Sequence, residues 1–134
     1  MDDQRPMTRG GSRRPIVLIV DDDPSVLLLI DTLAERLGFQ VKTASSGLQA
    51  LEHLREGIRP AVILLDIMME RIDGATFLAH LRGMPEVAET PVIAMSTPAV
   101  LERVVPELPV DGSLLKPITL QVLEECLRRF NPAG

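Results

Sequence analysis

Three aspartates, a serine and a lysine each stand where an apolar run ends, and together they have the makings of a cation site. Asp21 and Asp22 follow Ile16-Val17-Leu18-Ile19-Val20, and Asp66 follows Ala61-Val62-Ile63-Leu64-Leu65. Ser96 follows Val92-Ile93-Ala94-Met95, and Lys116 follows Leu114-Leu115 and precedes Pro117. If these runs are neighbouring parallel strands, their C-terminal ends meet in one crevice, which is where sites form in open α/β sheets. Two carboxylates about 4 Å apart repel by about 4 kcal/mol at an effective dielectric near 20. Three together require a bound cation or a compensating charge. Mg2+ takes oxygen ligands, uses one or two carboxylates and keeps several waters. Asp22 and Asp66 could ligate it directly, Asp21 through water, and Met68 through its carbonyl. A phosphoryl oxygen could complete the shell, with Asp66 as a nucleophile forming an acyl phosphate. Lys116 would then share in neutralising the transferring group and Ser96 would donate a hydrogen bond to it. Positioning and charge stabilisation supply most of the catalysis in such a transfer.

The elements that must position these residues alternate along the chain. The first strand is 16–20. A helix follows over about 24–37, with Asp23 as N-cap, Pro24 at its first position and Gly38 as its stop. A short strand at 39–43 leads to a helix over 47–56 capped by Ser46. The third strand is 61–65, and Asp73-Gly74 opens a helix to about 82. Strands at 92–95 and about 113–115 follow. Thr119 caps a last helix that carries Leu120, Leu123, Leu127 and Phe130 on one face. Fully apolar strands alternating with helices imply a parallel sheet covered on both faces. In the first helix Val26, Ile30, Leu33 and Leu37 share a core face, and Leu28 lies opposite. Leu27 and Leu28, beside the mouth of the crevice, form a candidate docking patch.

Composition bounds the function. A chain of 134 residues is one domain with enough apolar content, 46%, for a core. Phe39, Phe77 and Phe130 are its only aromatics, so that core is aliphatic. The net charge of −5 argues against nucleic acid as a direct partner, because no basic stripe tracks phosphates. The basic cluster Arg5, Arg9, Arg13 and Arg14 lies in a Gly-rich tail, residues 1–14, expected to be disordered. One cysteine, Cys126, forms no internal disulfide and suits a reducing cytosol; it reads as a packing residue. No apolar stretch approaches 18 residues, so a soluble, cytoplasmic protein is expected. His53 and His80 lack metal-spaced partners and are expected at the surface. No Gly-rich phosphate loop follows the first strand, which argues against a small-molecule enzyme built on a doubly wound α/β sheet.

Four segments together resemble the receiver domain of bacterial two-component response regulators: Ile16 to Pro24 (IVLIVDDDP), Leu64 to Gly74 (LLDIMMERIDG), Val92 to Thr97 (VIAMST) and Leu114 to Pro117 (LLKP). The resemblance covers about residues 15–130, within a domain placed at 15–131. It implies an α/β, flavodoxin-like, doubly wound five-stranded parallel sheet of order 2-1-3-4-5 with helices on both faces. It implies Asp66 as phosphoacceptor and Asp21 with Asp22 as the metal-binding pair for Mg2+ or Mn2+. Ser96 and Thr97 would bind the phosphoryl group and sense it, and Lys116 would hold its oxygens. The partners implied are a histidine kinase or a histidine phosphotransfer protein, with a protein partner downstream, no membrane, and a monomer or weak dimer. Such a protein is not an enzyme beyond catalysing its own phosphorylation and dephosphorylation.

Three departures from the family pattern bear on how a signal leaves. Glu70 stands where the family usually has proline. The stretch from Ser96 to Lys116 is short and holds Pro98, Pro106 and Pro109, so the fourth helix is expected to be brief or irregular, ending near Val105. Ser113 occupies a position where the family often places a switch aromatic. The expected output therefore runs through reordering of residues 97–112. The chain ends four residues after Phe130, which reads as a stand-alone receiver. The alternative is a pseudo-receiver, an interaction module acting without phosphorylation.

Overall fold

The computed structural model describes residues 14–68, 74–100 and 109–131. Five strands are all parallel: β1 (Ile16–Val20), β2 (Gln40–Ala44), β3 (Val62–Asp66), β4 (Val92–Ser96) and β5 (Gly112–Leu115). Their order is β2-β1-β3-β4-β5. The described helices are α1 (Pro24–Arg36), α2 (Gly47–Arg55), α3 (Gly74–Arg82) and α4 (Leu120–Leu127), the last tightening into a 3-10 turn over Arg128–Phe130. Residues 98–100 begin a further helical turn; its expected end near Val105, like the tail 1–13 and the loop residues Glu70 and Asp73, lies outside the described residues. Among the described residues no helix is long and apolar enough to cross a membrane.

Side chains two apart on a strand share a face, and that period splits the core into two layers. Leu18, Val20, Ile63, Leu65 and Val92 pack against Leu51 and Leu54 of α2 and Phe77, Leu78 and Leu81 of α3. Val17, Ile19, Val62, Leu64, Ile93, Met95 and Leu114 pack against Ile30 and Ala34 of α1 and Leu123 and Leu127 of α4. The central strands β3 and β4 are buried throughout, which is why they carry no polar residue before their last position. The edge strands are half-buried or open except at Ala44 and Leu114, and they carry Gln40, Lys42, Thr43 and Ser113. Burying one such aliphatic side chain is worth about 1.5–3 kcal/mol, so the two layers hold the sheet rigid under the site.

The caps form as the sequence predicts. Asp23 Oδ1 accepts from Ser25 N at 2.9 Å, Ser46 Oγ from Gln49 N at 3.0 Å, and Thr119 Oγ1 from Val122 N at 3.2 Å. Gly38, with φ 97°, turns the chain out of α1. Several boundaries shift by one residue. The second strand is 40–44 rather than 39–43, because Phe39 N closes α1 on the Ala34 carbonyl and the ladder opens with Gln40 N donating to Pro15 O at 2.8 Å. The third strand is 62–66 rather than 61–65: Asp66 pairs with Met95 and stays inside the sheet.

Candidate functional site

The crevice is built at the C-terminal ends of β1, β3, β4 and β5. Asp21 follows β1 and is fully buried, Asp66 closes β3 at 4% exposure, and Ser96 closes β4 at 1%. Asp22 is exposed. One oxygen from each of Asp21, Asp22 and Asp66 lies within 4.8 Å of the others. Lys116 follows β5; its N–H donates to the Ser96 carbonyl at 3.0 Å, and its peptide bond to Pro117 is cis. The Lys116 ammonium lies 3.0 Å from Asp21 Oδ2 and 3.5 Å from Asp66 Oδ2. The sequence-predicted acidic triad and its lysine are therefore brought together from segments up to 95 residues apart.

Main-chain donors complete the cradle. Asp21 Oδ1 accepts from Asp23 N at 2.9 Å, and Asp66 Oδ1 accepts from Met68 N at 3.0 Å. With Asp23 and Ser25, this makes three Asp-to-i+2 turns in which a side chain holds its own backbone. The reading of the sequence anticipated the Asp23 cap but missed the Asp23 and Met68 donors, although the signal was there: an aspartate at the end of a strand, with a non-proline two residues on.

Charge in the crevice is unbalanced. Three carboxylates face one ammonium. Burial pushes the Asp21 carboxyl above the ordinary aspartate pKa, and the Asp66 charge adds to that push. The Asp23 N–H and Lys116 pull the other way without cancelling it. Burial works against the Lys116 ammonium, but its hydrogen bond to Asp21 and the charges of Asp66 and Asp21 outweigh that, so its pKa lies above the ordinary lysine value. This donor set fits a hard divalent cation: oxygen ligands only, surplus negative charge, and one exposed carboxylate through which a hydrated ion can enter.

Other expected residues fall as follows. Ser96 Oγ is the one buried side-chain polar atom without a hydrogen-bond partner among the described residues. Thr97 and Ser113 are exposed, and Met68 turns its side chain to solvent. Leu28 is 68% exposed, and Leu27 beside it is half-buried against the α1 layer of the core. His53 is not a plain surface residue: it is half-buried, and its Nε2 lies 3.0 Å from the Thr43 carbonyl, closing part of the open edge of β2. His80 is exposed. Cys126 is half-buried and burial raises its thiol pKa, which disfavours the reactive thiolate.

A doubly wound sheet with an acidic, cation-fitting crevice at its carboxyl ends defines a class; sequence comparison narrows it. Residues 17–128 match the family model of the response regulator receiver domain, and the chain belongs to that family. It is 38% identical over 103 residues to the transcriptional regulatory protein CpxR homolog of Haemophilus influenzae, covering 75% of this chain and 43% of that protein. It is likewise 38% identical over 115 residues to the transcriptional regulatory protein PrrA of Mycobacterium tuberculosis, covering 84% of this chain and 48% of the relative. The chain thus spans about half the length of the curated relatives it matches. Among solved structures, the chemotaxis response regulator CheY4 of Vibrio cholerae superposes with a TM-score of 0.78 at 27% identity, covering 87% of this chain and 98% of that one. The receiver domain of sensor histidine kinase PA1611 of Pseudomonas aeruginosa, whose active-site cleft coordinates a magnesium ion, has the same fold at a TM-score of 0.78 and 24% identity, covering 87% of this chain and 97% of that one.

Proposed function

We propose that the protein is a cytoplasmic phosphoacceptor that takes a phosphoryl group from a phosphohistidine onto Asp66. The observation that carries this reading is the convergence of Asp21, Asp22 and Asp66 within 4.8 Å, with Lys116 bridging the two buried carboxylates. Asp22 and Asp66 would hold Mg2+ or Mn2+, with Asp21 acting through water and Met68 through its carbonyl. Bound there, the cation would supply positive charge against the phosphoryl oxygens. An oxygen of Asp66 attacks phosphorus, the P–N bond breaks, and its electron pair returns to the imidazole, which takes up a proton. Met68 N–H holds the other Asp66 oxygen and so orients the nucleophile. Lys116 lies near enough to turn its ammonium to the developing charge, and Ser96 Oγ, buried without a partner, is free to donate to a phosphoryl oxygen. Thr97 lies next to it at the rim.

The donor is a histidine kinase or a histidine phosphotransfer protein, and the signal leaves through protein contact or onward phosphotransfer. The chain catalyses only its own phosphorylation and dephosphorylation. Incubation with Mg2+ and a small phosphodonor, followed by intact mass, tests the reading. One phosphoryl group is expected on the wild type, and none with EDTA or in Asp66→Asn. A folded wild type that stays unmodified would contradict it and support a module acting without phosphorylation.

A further inference from the structure

We infer that the open edge of β2 is a surface for pairing with a second copy of this chain, and that His53 and Lys42 keep it shut. β2 lies at the margin of the sheet and pairs only with β1. Gln40 N donates to the Pro15 carbonyl, and the Ala44 carbonyl accepts from Asp21 N. Along a parallel strand the main-chain groups turn alternately to one side and the other. Gln40, Lys42 and Ala44 therefore face β1, and Val41 and Thr43 turn theirs outward. Beyond them the edge is closed: Phe39 N donates to the Ala34 carbonyl at 3.1 Å, and Ser45 N to Gln49 Oε1 at 2.7 Å. The Thr43 carbonyl accepts from His53 Nε2 at 3.0 Å, so that nitrogen carries the proton. Among the described residues, the Val41 N–H, the Val41 carbonyl and the Thr43 N–H have no partner. They floor a groove of about 460 Å³ walled by Leu27 and Asp31 of α1 and by Gln49 and His53 of α2.

That short open stretch matches itself. About a two-fold axis at Lys42, Val41 of one copy stands opposite Thr43 of the other, and each such antiparallel pair exchanges both of its N–H to carbonyl bonds. The match uses the three open groups and, of those already taken, only the Thr43 carbonyl. A longer foreign strand would run into the closed positions at Phe39 and Ser45, whereas a second copy sets closed positions against closed positions. Two side chains stand against the pairing. His53 occupies the Thr43 carbonyl with its ring, and does so in both copies. Lys42 would meet its own counterpart at the axis, where facing Cα atoms are about 4.5 Å apart and like charges destabilise the pair. Lysine on an edge strand is a common guard against such pairing.

The test reads mass by light scattering and amide hydrogen exchange at Val41 and Thr43, on the full chain from micromolar to millimolar concentration. Three proteins are compared: the wild type, Lys42→Thr with His53→Ala, and Lys42→Thr with His53→Gln, whose amide still donates to the Thr43 carbonyl. In the wild type, exchange at the two amides should not change with concentration. The variant with His53→Ala should form a dimer in which both amides exchange roughly tenfold more slowly than in its monomer. The variant with His53→Gln should pair about tenfold more weakly than that. If the first double variant does not fold, His53→Ala alone reads the same two amides. The inference is overturned by a folded His53→Ala protein that stays monomeric, by a dimer whose Val41 and Thr43 exchange as in the monomer, by His53→Gln pairing as tightly as His53→Ala, or by a wild type already protected there.

Discussion

Two charge clusters sit at opposite ends of the sheet and are built on opposite terms. At the N-terminal end, Arg82 Nη1 donates to the Ala88 and Thr90 carbonyls at 2.8 Å each, and Asp111 Oδ2 accepts from Val92 N at 2.8 Å. The two side chains face each other at 3.5 Å. One cation meets one anion, and the spare donors and acceptors are taken up by the chain where β4 and β5 begin. At the C-terminal end, three carboxylates face one ammonium, and a buried hydroxyl has no partner. Buried polar groups in proteins are nearly always satisfied. The first cluster is partly exposed and paired one to one, and it ties the chain together. The second breaks that rule at Ser96, where a ligand can make good the deficit.

The contrast can be broken by mutation. The largest effect belongs to Asp22. Asp22→Ala should weaken Mg2+ binding at least tenfold, and by more than Asp21→Ala does, because in the proposed site the exposed carboxylate would ligate directly and Asp21 through water. Equal losses in a Mg2+ titration would remove that distinction. Arg82→Ala is the matching cut at the other end. It should cost roughly 1–2 kcal/mol of stability in urea unfolding, from orphaned carbonyls and a lost partner for Asp111, while leaving Mg2+ affinity unchanged. A change in affinity would mean the two clusters communicate.

Asp21 gives a smaller effect whose sign depends on pH. Its carboxyl is held above the ordinary value in the fold. The native state therefore keeps that proton longer than the unfolded chain, and metal-free stability falls as pH rises through the interval from the unfolded to the folded pKa. The penalty is absent below that interval and fully present above it. Asp21→Asn, which carries no charge to bury, should thus gain on the wild type as pH rises from about 4 to 7 without metal. A difference that is flat in pH, or that shrinks on going up, contradicts the assignment. The smallest effect is Ser96→Ala. Removing a hydroxyl without a partner should change metal-free stability by no more than about 0.5 kcal/mol, whereas truncating a satisfied buried group costs about 1–3 kcal/mol.

Most of the frame was legible in the sequence for physical reasons that particular residues display. Runs such as Ile63-Leu64-Leu65 are apolar at every position because both faces of the central strands are covered. Asp23, Ser46 and Thr119 announced the helix starts because a side-chain oxygen must meet a free backbone N–H there. The triad and its lysine were legible because each ends or follows an apolar strand whose C-terminal end lies at one edge of the sheet. Other features depend on three-dimensional placement. Arg82 and Asp111 are 29 residues apart, and neither stands beside a motif. His53 reaches back ten residues to a carbonyl on the edge of β2. Which carboxylate Lys116 prefers, and that Ser96 is left without a partner, are matters of tenths of an ångström that no residue pattern encodes.

The central claim is that the unmatched crevice exists to place a phosphoryl group on Asp66. The most direct measurement is to phosphorylate the protein with Mg2+ present, reduce it with borohydride, which converts an aspartyl phosphate to homoserine, and map the product by peptide mass. Homoserine at position 66 alone, lost with EDTA, is the expected result. Reduction at another carboxylate, or none in a folded protein that binds Mg2+, would contradict the account.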